Sequence, residues 1–307
     1  MARRRAICVI GNANIDLVAG SIADWPAWGT EIFLARSDFR IGGSAANTAV
    51  VLQRLGHDVG LVSARGSDAA GDLISRQFGG PLDRVAARPE TTSMSVGILQ
   101  TGGERSFFST NGHLDGLDAD IFRQSLDGWP LDGALALVSG GFALPALGGG
   151  HADLLRWLKD KGAEIAIDPG WPGNSWSGAE IDLAREWIAA SDHVLFNDLE
   201  VLGVSGAATV ESACESLSSI LAPHARLVVK RGPDGASIWR DGAMKHAPAS
   251  PLEVIDTVGA GDAFNAGYLA ALADGMADAD ALRNGIRVAG HVISEFPRGS
   301  GPISPVT

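Results

Sequence analysis

Apolar residues recur along this chain in two rhythms. Short runs at Ala6 to Ile10, Asp58 to Ser63, Ala134 to Ser139, Glu164 to Asp168, His193 to Phe196 and Leu227 to Lys230 read as strands. The first is a continuous apolar run closed by Gly11, the pattern of a parallel strand buried on both faces. Helical spacing appears at Ala46 to Leu55, Ala70 to Phe78, Ala152 to Lys161, Glu180 to Ala190, Glu211 to Leu221, Gly261 to Ala273 and Ala279 to Phe296. Strands alternating with helices predict a mostly parallel sheet with helices on both faces.

One region breaks the alternation. Thr91 to Gln100 and Glu104 to Thr110 are β-rich and are separated by Thr101-Gly102-Gly103, a hairpin signal. Glu31 to Ile41 has the mixed pattern of a half-exposed strand, so the three stretches predict a small sheet standing off the main one. Such an excursion is a natural lid over a site. Arg105 on it faces either substrate or solvent.

Composition narrows the class. At 46% apolar and 20% charged, the chain of 307 residues has a globular make-up. A net charge of −12 opposes nucleic-acid or anionic-membrane binding, since no basic excess is available to displace counterions. It leaves room for a nucleotide, which needs only a local anion site. Cys8 and Cys214 are far apart and without a CxxC partner, which points away from disulfides and zinc and toward a reducing, cytoplasmic setting. The apolar run after Arg3-Arg4-Arg5 is too short for a signal peptide. The uncharged stretch Gly133 to Gly150 holds Pro145 and six glycines, and reads as a strand and loop rather than a membrane span.

The chemistry gathers where glycines meet helices. Asp256-Thr257-Val258-Gly259-Ala260-Gly261-Asp262-Ala263-Phe264 follows a strand-like run (Leu252, Val254, Ile255) and opens an apolar helix. Backbone N–H groups at a helix start have no intrahelical partner, and small residues let a ligand approach them. Two readings fit this stretch equally. In one, Asp256 or Thr257 caps a core helix. In the other, the turn receives a phosphate and Asp262 takes a proton from an attacking hydroxyl. A second junction, Gly42-Gly43-Ser44-Ala45-Ala46-Asn47, suits a hydroxyl-rich ligand, and Asp16 lies just beyond the first strand, where parallel sheets bind ligands. There is no GxxxxGK[ST], no third glycine for a dinucleotide fingerprint (Phe264 stands there), no HExxH and no GxSxG.

Together these stretches resemble the PfkB (ribokinase-like) family of carbohydrate and nucleoside kinases, over nearly the whole chain. Asp256 to Phe264 looks like the family's C-terminal signature and Gly42 to Ala49 like its N-terminal one. The resemblance implies one domain over residues 1–307, a three-layer α/β/α sandwich with a β lid from about 12–41 and 91–111. It implies an ATP- and Mg2+-dependent transfer of phosphate to a sugar or polyol hydroxyl. Asp262 would be the base, and Gly259, Ala260 and Gly261 the anion hole. Asp16, Gly42, Gly43 and Asn47 would contact sugar hydroxyls. Asn197 and Glu200 look like the NxxE element that organises Mg2+, Glu200 acting through water, while Lys230, Gly232 and Gly235 fall in the nucleotide loop. Asp256 and Val258 fall where some members bind a monovalent cation, so K+ activation is a further expectation. A homodimer paired through the lid follows by the same analogy. Ser44 stands where ribokinases often carry lysine, and Lys230 where threonine is common, so the sugar stays open. A nucleoside kinase is the near alternative, and a sugar- or nucleotide-sensing protein the distant one.

Overall fold

A computed structural model describes residues 4–101, 105–173 and 175–304. Its centre is a sheet built on β1 (Ile7–Gly11), β4 (Val59–Gly66), β8 (Leu135–Ser139), β9 (Glu164–Asp168), β10 (His193–Asn197) and β11 (Arg226–Lys230), all parallel. The parallel strand β5 (Arg84–Arg88) adds one edge, and the antiparallel pair β12 (Ala236–Arg240) and β13 (Ala243–Ala247) adds the other. The resulting order is β13-β12-β11-β10-β9-β8-β1-β4-β5.

Side chains alternate across each strand, so one apolar run feeds two cores. Ile7 and Val9 of β1 and Leu135 and Leu137 of β8 enter the core under α1 (Ser44–Arg54), α2 (Ala69–Gln77), α8 (Ala260–Ala273) and α9 (Asp278–Ile293). Cys8, Ile10, Ala136 and Val138 enter the other, under α3 (Ala119–Ser125), α4 (His151–Asp160), α5 (Gly178–Ala189), α6 (Asp198–Ser205) and α7 (Val210–Leu217). This is the expected three-layer arrangement. Among the described residues no helix is long and apolar enough to cross a membrane.

The small sheet has four strands in the order β3-β2-β6-β7: β2 (Asn14–Ile22), β3 (Arg36–Gly42), β6 (Met94–Gln100) and β7 (Arg105–Thr110). The tip of the β6–β7 hairpin, with Gly102 and Gly103, lies outside the described residues.

Several elements differ from expectation. Asp16 is not in a loop after β1 but inside β2, opposite Arg40 of β3. Residues 31–35 are not strand; Ile32 and Phe33 are exposed and the strand begins at Arg36. The Leu252–Ile255 run is not a strand either. The N–H groups of Ile255 and Asp256 both donate to Ile293 O at the end of α9. Helix α9 ends at Ile293 rather than Phe296, because Pro297 disfavours helical geometry in the residue before it.

Candidate active site

The parallel strands deliver a row of polar residues at their carboxyl ends: Asp168 from β9, Asn197 from β10 and Lys230 from β11, with Asn197 and Lys230 in register. Helix α8 starts beside them. Its N-cap, Gly259, has φ 76°, a left-handed conformation that glycine adopts without strain, and no side chain caps the helix. Ala260 N–H donates to Thr257 O at 3.1 Å, so it is not an open donor of the expected anion hole. The N–H groups of Gly261 and Asp262 have no protein acceptor among the described residues. They form the mouth of the site.

Asp262 stands in the first turn of α8, half-buried. Asn47 Nδ2 donates to its Oδ2 at 2.8 Å, which ties the two glycine junctions together. Thr48 Oγ1 donates to the Asp262 carbonyl at 3.3 Å. Burial, and secondarily the charge of Asp168, push the Asp262 carboxyl up to about 7, against the pull of Asn47, Lys230 and Arg298. That value suits a group that must both take and release a proton near neutrality.

Lys230 points into the same space. Its Nζ donates to Asp168 Oδ2 at 2.8 Å, lies 3.5 Å from Asn265 Oδ1, and would be 3.4 Å from a Cβ on Gly261. Burial works against its charge, yet Asp168 and Glu200 hold it protonated and raise its pKa. Asn265 Nδ2 donates to Asp168 Oδ2 at 2.5 Å. Asp168 and Asn265 were assigned no role from sequence. The available signal was a carboxylate ending an apolar parallel strand, on the side where such sheets bind ligands.

Glu200 and Asn197 form a capping box at the start of α6: Asn197 Oδ1 accepts from Glu200 N at 2.8 Å, and Glu200 Oε2 accepts from Asn197 N at 2.7 Å. Glu200 is buried, and burial followed by the Asp168 charge raises its carboxyl to about 7. Gly232 opens the turn after β11 with φ 53°, while Gly235 serves the fold: a Cβ there would sit 2.1 Å from Ala247 O of β13.

The residues expected to meet sugar lie together. Asp16 is buried, and its Oδ1 accepts from Asn14 Nδ2 at 2.7 Å. Its carboxylate rests on Gly42, where a Cβ would stand 2.1 Å from Oδ1, so only glycine leaves room. Gly43 (φ 89°) turns the chain into α1, and its carbonyl accepts from Asn47 N at 2.8 Å. Burial raises the Asp16 pKa, offset by Asn14 and Arg40.

Asp256 is buried beneath the turn. Arg40 Nη1 of β3 donates to its Oδ2 at 2.8 Å, and Val258 N donates to its Oδ1 at 2.9 Å. Burial opposes its charge, but Arg40, that N–H and Arg298 hold the carboxyl below its usual range. Arg298 Nη2 donates to Asp256 O at 3.3 Å and to Val258 O. Arg105 of β7 reaches the same turn, donating from Nη1 to Thr257 Oγ1 at 2.7 Å. Both edge strands of the small sheet therefore reach residues 256–258.

A family model described as pfkB family carbohydrate kinase matches residues 4–302. The chain belongs to that family. It is accordingly a phosphotransferase with an alcohol group as acceptor. A fructokinase of Klebsiella pneumoniae is 30% identical over 279 residues, covering 87% of this chain and 84% of that protein. Among solved structures, Arabidopsis thaliana ribokinase complexed with ribose and ATP superposes with TM-score 0.76 at 20% identity, covering 98% of this chain and 96% of that one. A candidate ribokinase II of Escherichia coli, solved with ATP and Mg2+, gives TM-score 0.80 at 20% identity, with 95% and 94% covered. Family members thus share this fold of a mostly parallel sheet with a small sheet beside it.

Proposed function

We propose that this chain transfers the γ-phosphate of ATP to a hydroxyl of a small sugar or related polyol, with Asp262 as general base. One observation carries the reading: a carboxylate with its pKa raised to about 7 stands in the first turn of α8, whose open N–H groups can receive the transferring phosphoryl. The hydroxyl gives its proton to Asp262 as its oxygen attacks phosphorus, and ADP leaves. Lys230 and the N–H groups of Gly261 and Asp262 offset the charge that spreads over the phosphoryl oxygens. Asp16 accepts hydrogen bonds from acceptor hydroxyls, held over Gly42 by Asn14. Asn47 orients the base.

The donor set near the phosphate fits Mg2+. Glu200 is a buried carboxyl that lacks a full counter-charge, and beside Asp168 it is pushed up to about 7, so a cation nearby lowers its free energy. Among the described residues no group of three His, Cys, Asp or Glu side chains is set to cage a metal. Mg2+ binds instead through one or two carboxylates, waters and substrate phosphates. Glu200, through water and with Asn197 at its side, would hold it, and the ion would neutralise phosphate charge.

A coupled ADP-release screen over sugars, sugar acids and nucleosides tests the reading. Turnover with a sugar or polyol is expected. A nucleoside as the best acceptor would select the nucleoside-kinase alternative, and no turnover with any acceptor would leave the sensing alternative.

The small sheet also supports a second copy as partner. Phe39, Phe107 and Phe108 are exposed on its edge strands, and Trp25 meets Phe108 edge-on at 6.0 Å. Exposed apolar edges favour pairing. Sedimentation should show a dimer for the wild type and a shift toward monomer for Phe108→Asp; a wild-type monomer would refute it.

A further inference from the structure

We propose that Arg298 is a built-in cation that fixes the anion-binding turn, so that phosphoryl transfer by this chain needs no added monovalent cation.

The geometry starts from helix rules. Gly259 caps α8, so the N–H of Asp262, in its first turn, has no intrahelical carbonyl to bond. The carbonyls of Asp256 and Val258, just before the cap, both accept from Arg298 Nη2, and the same nitrogen lies 3.4 Å from Asp256 Oδ2. One guanidinium thus ties together the oxygens of residues 256 and 258 at the base of the turn. The N–H of Asp262 is left open at the mouth of the site, beside that of Gly261. A planar guanidinium suits this bridging because its donors have a fixed geometry and its charge persists at any working pH. Arg298 also lies close to the base: a Cβ on Gly259 would meet Arg298 Nη1 at 3.5 Å and Asp262 Oδ2 at 3.4 Å.

The same contacts show that a monovalent cation does not fit on Asp256 and Val258. Such an ion must exchange its water shell for several oxygens. Here the oxygens already serve Arg298, and Arg40 Nη1 holds Asp256 Oδ2 at 2.8 Å. A third positive charge would face two guanidinium groups in a largely buried space, where like charges repel strongly. Asp256 therefore has internal counter-charges where the resemblance allowed an external one.

The inference rests on the kinase reading, and its test separates the two. Initial rates of the wild type with its best acceptor are compared in potassium, sodium and tetramethylammonium chlorides at equal ionic strength, together with melting temperatures of the ligand-free protein. Rates and melting temperatures should be indistinguishable among the three salts. Activation specific to potassium, or a melting temperature raised by potassium alone, would overturn the proposal. No turnover at all would count against the kinase reading, while the melting comparison would still decide the cation question. Arg298→Ala adds the positioning test. Its kcat should fall about 10- to 100-fold in tetramethylammonium, because the turn that receives the phosphate loses its geometry. Potassium, now admitted to the vacated oxygens, should recover part of that loss. A folded variant with full activity, or one equally impaired in every salt, would show that Arg298 is only a structural contact. If Arg298→Ala does not fold, the wild-type salt comparison decides alone.

Discussion

Asp262→Asn should lower kcat by about 10²- to 10⁴-fold while changing the KM for the acceptor little, since the amide keeps the shape of the side chain but cannot take a proton. The Asn47 contact survives, because the amide oxygen can accept from Asn47 Nδ2 as Asp262 Oδ2 does at 2.8 Å. The pH dependence has a definite sign. Asp262 works only when deprotonated, and burial raises its carboxyl to about 7. Wild-type kcat/KM should therefore rise with pH and level off above about 7. Stability runs the other way. A carboxyl whose folded pKa is raised binds its proton more tightly in the folded state, so ionising it costs folding free energy. That cost is absent below the unfolded value of 3.8, grows as pH rises, and is complete above about 7. Asp262→Asn removes it. Above neutrality the variant should be more stable than the wild type, on the order of 2 kcal/mol. At pH values below the ordinary aspartate range the difference should vanish. Steady-state kinetics and denaturant melts across pH check both halves. A variant with wild-type turnover would remove Asp262 from the chemistry, and one less stable above neutrality would refute the electrostatic account.

The central sheet was legible because its strands are buried on both faces. Each then appears as an apolar run whatever its neighbours, as at Leu135–Ser139 and Arg226–Lys230. The edge strands were not. Arg84–Arg88 carries an arginine at each end and has no fully buried residue, and Ala243–Ala247 pairs on one side only, so neither has an apolar signature. Leu252 to Ile255 failed in the opposite direction: its side chains look like a strand, but the N–H of Ile255 bonds to the end of α9 rather than to a strand, a contact that sequence does not display. The site divides in the same way. Asp262, Asn47, Gly42 and Gly43 stood out because glycines beside a helix start have few other reasons to occur together. Asn265 and Arg298 gave no local signal, and Asp168 only its place at the end of an apolar strand. Their roles come from contacts across 97 residues, between the side chains of Asn265 and Asp168, and across 40 residues, from the Arg298 side chain to the Val258 carbonyl. Lys230 was placed in the nucleotide loop by position, but its direction, toward Gly261, is a property of the folded chain alone.

Lys230→Met should damage both stability and activity, and the two losses should be separable. Lys230 is the cation among Asp168, Glu200 and Asp262, each of which contributes to holding its charge. Without it the buried Asp168 keeps Asn265 as a donor but loses its ion-pair partner. Removing one partner of a buried pair typically costs about 3–5 kcal/mol. The deficit should be largest above neutrality, where Asp262 and Glu200, both raised to about 7, would otherwise ionise, and should shrink as pH falls and they stay protonated. Catalysis should fall further than stability explains, by about 10²- to 10³-fold in kcat/KM, because a positive group facing the transferring phosphoryl is lost. Adding Asp168→Asn tests the separation. The double variant has no orphaned carboxylate at 168, so it should regain much of the stability of Lys230→Met, a coupling measurable as a double-mutant cycle. It should not regain turnover, since no cation has been restored. Recovery of both would mean that Lys230 serves only to neutralise Asp168. If Lys230→Met matched the wild type in stability above neutrality and in rate, the charge arrangement described here would not be what sets this site.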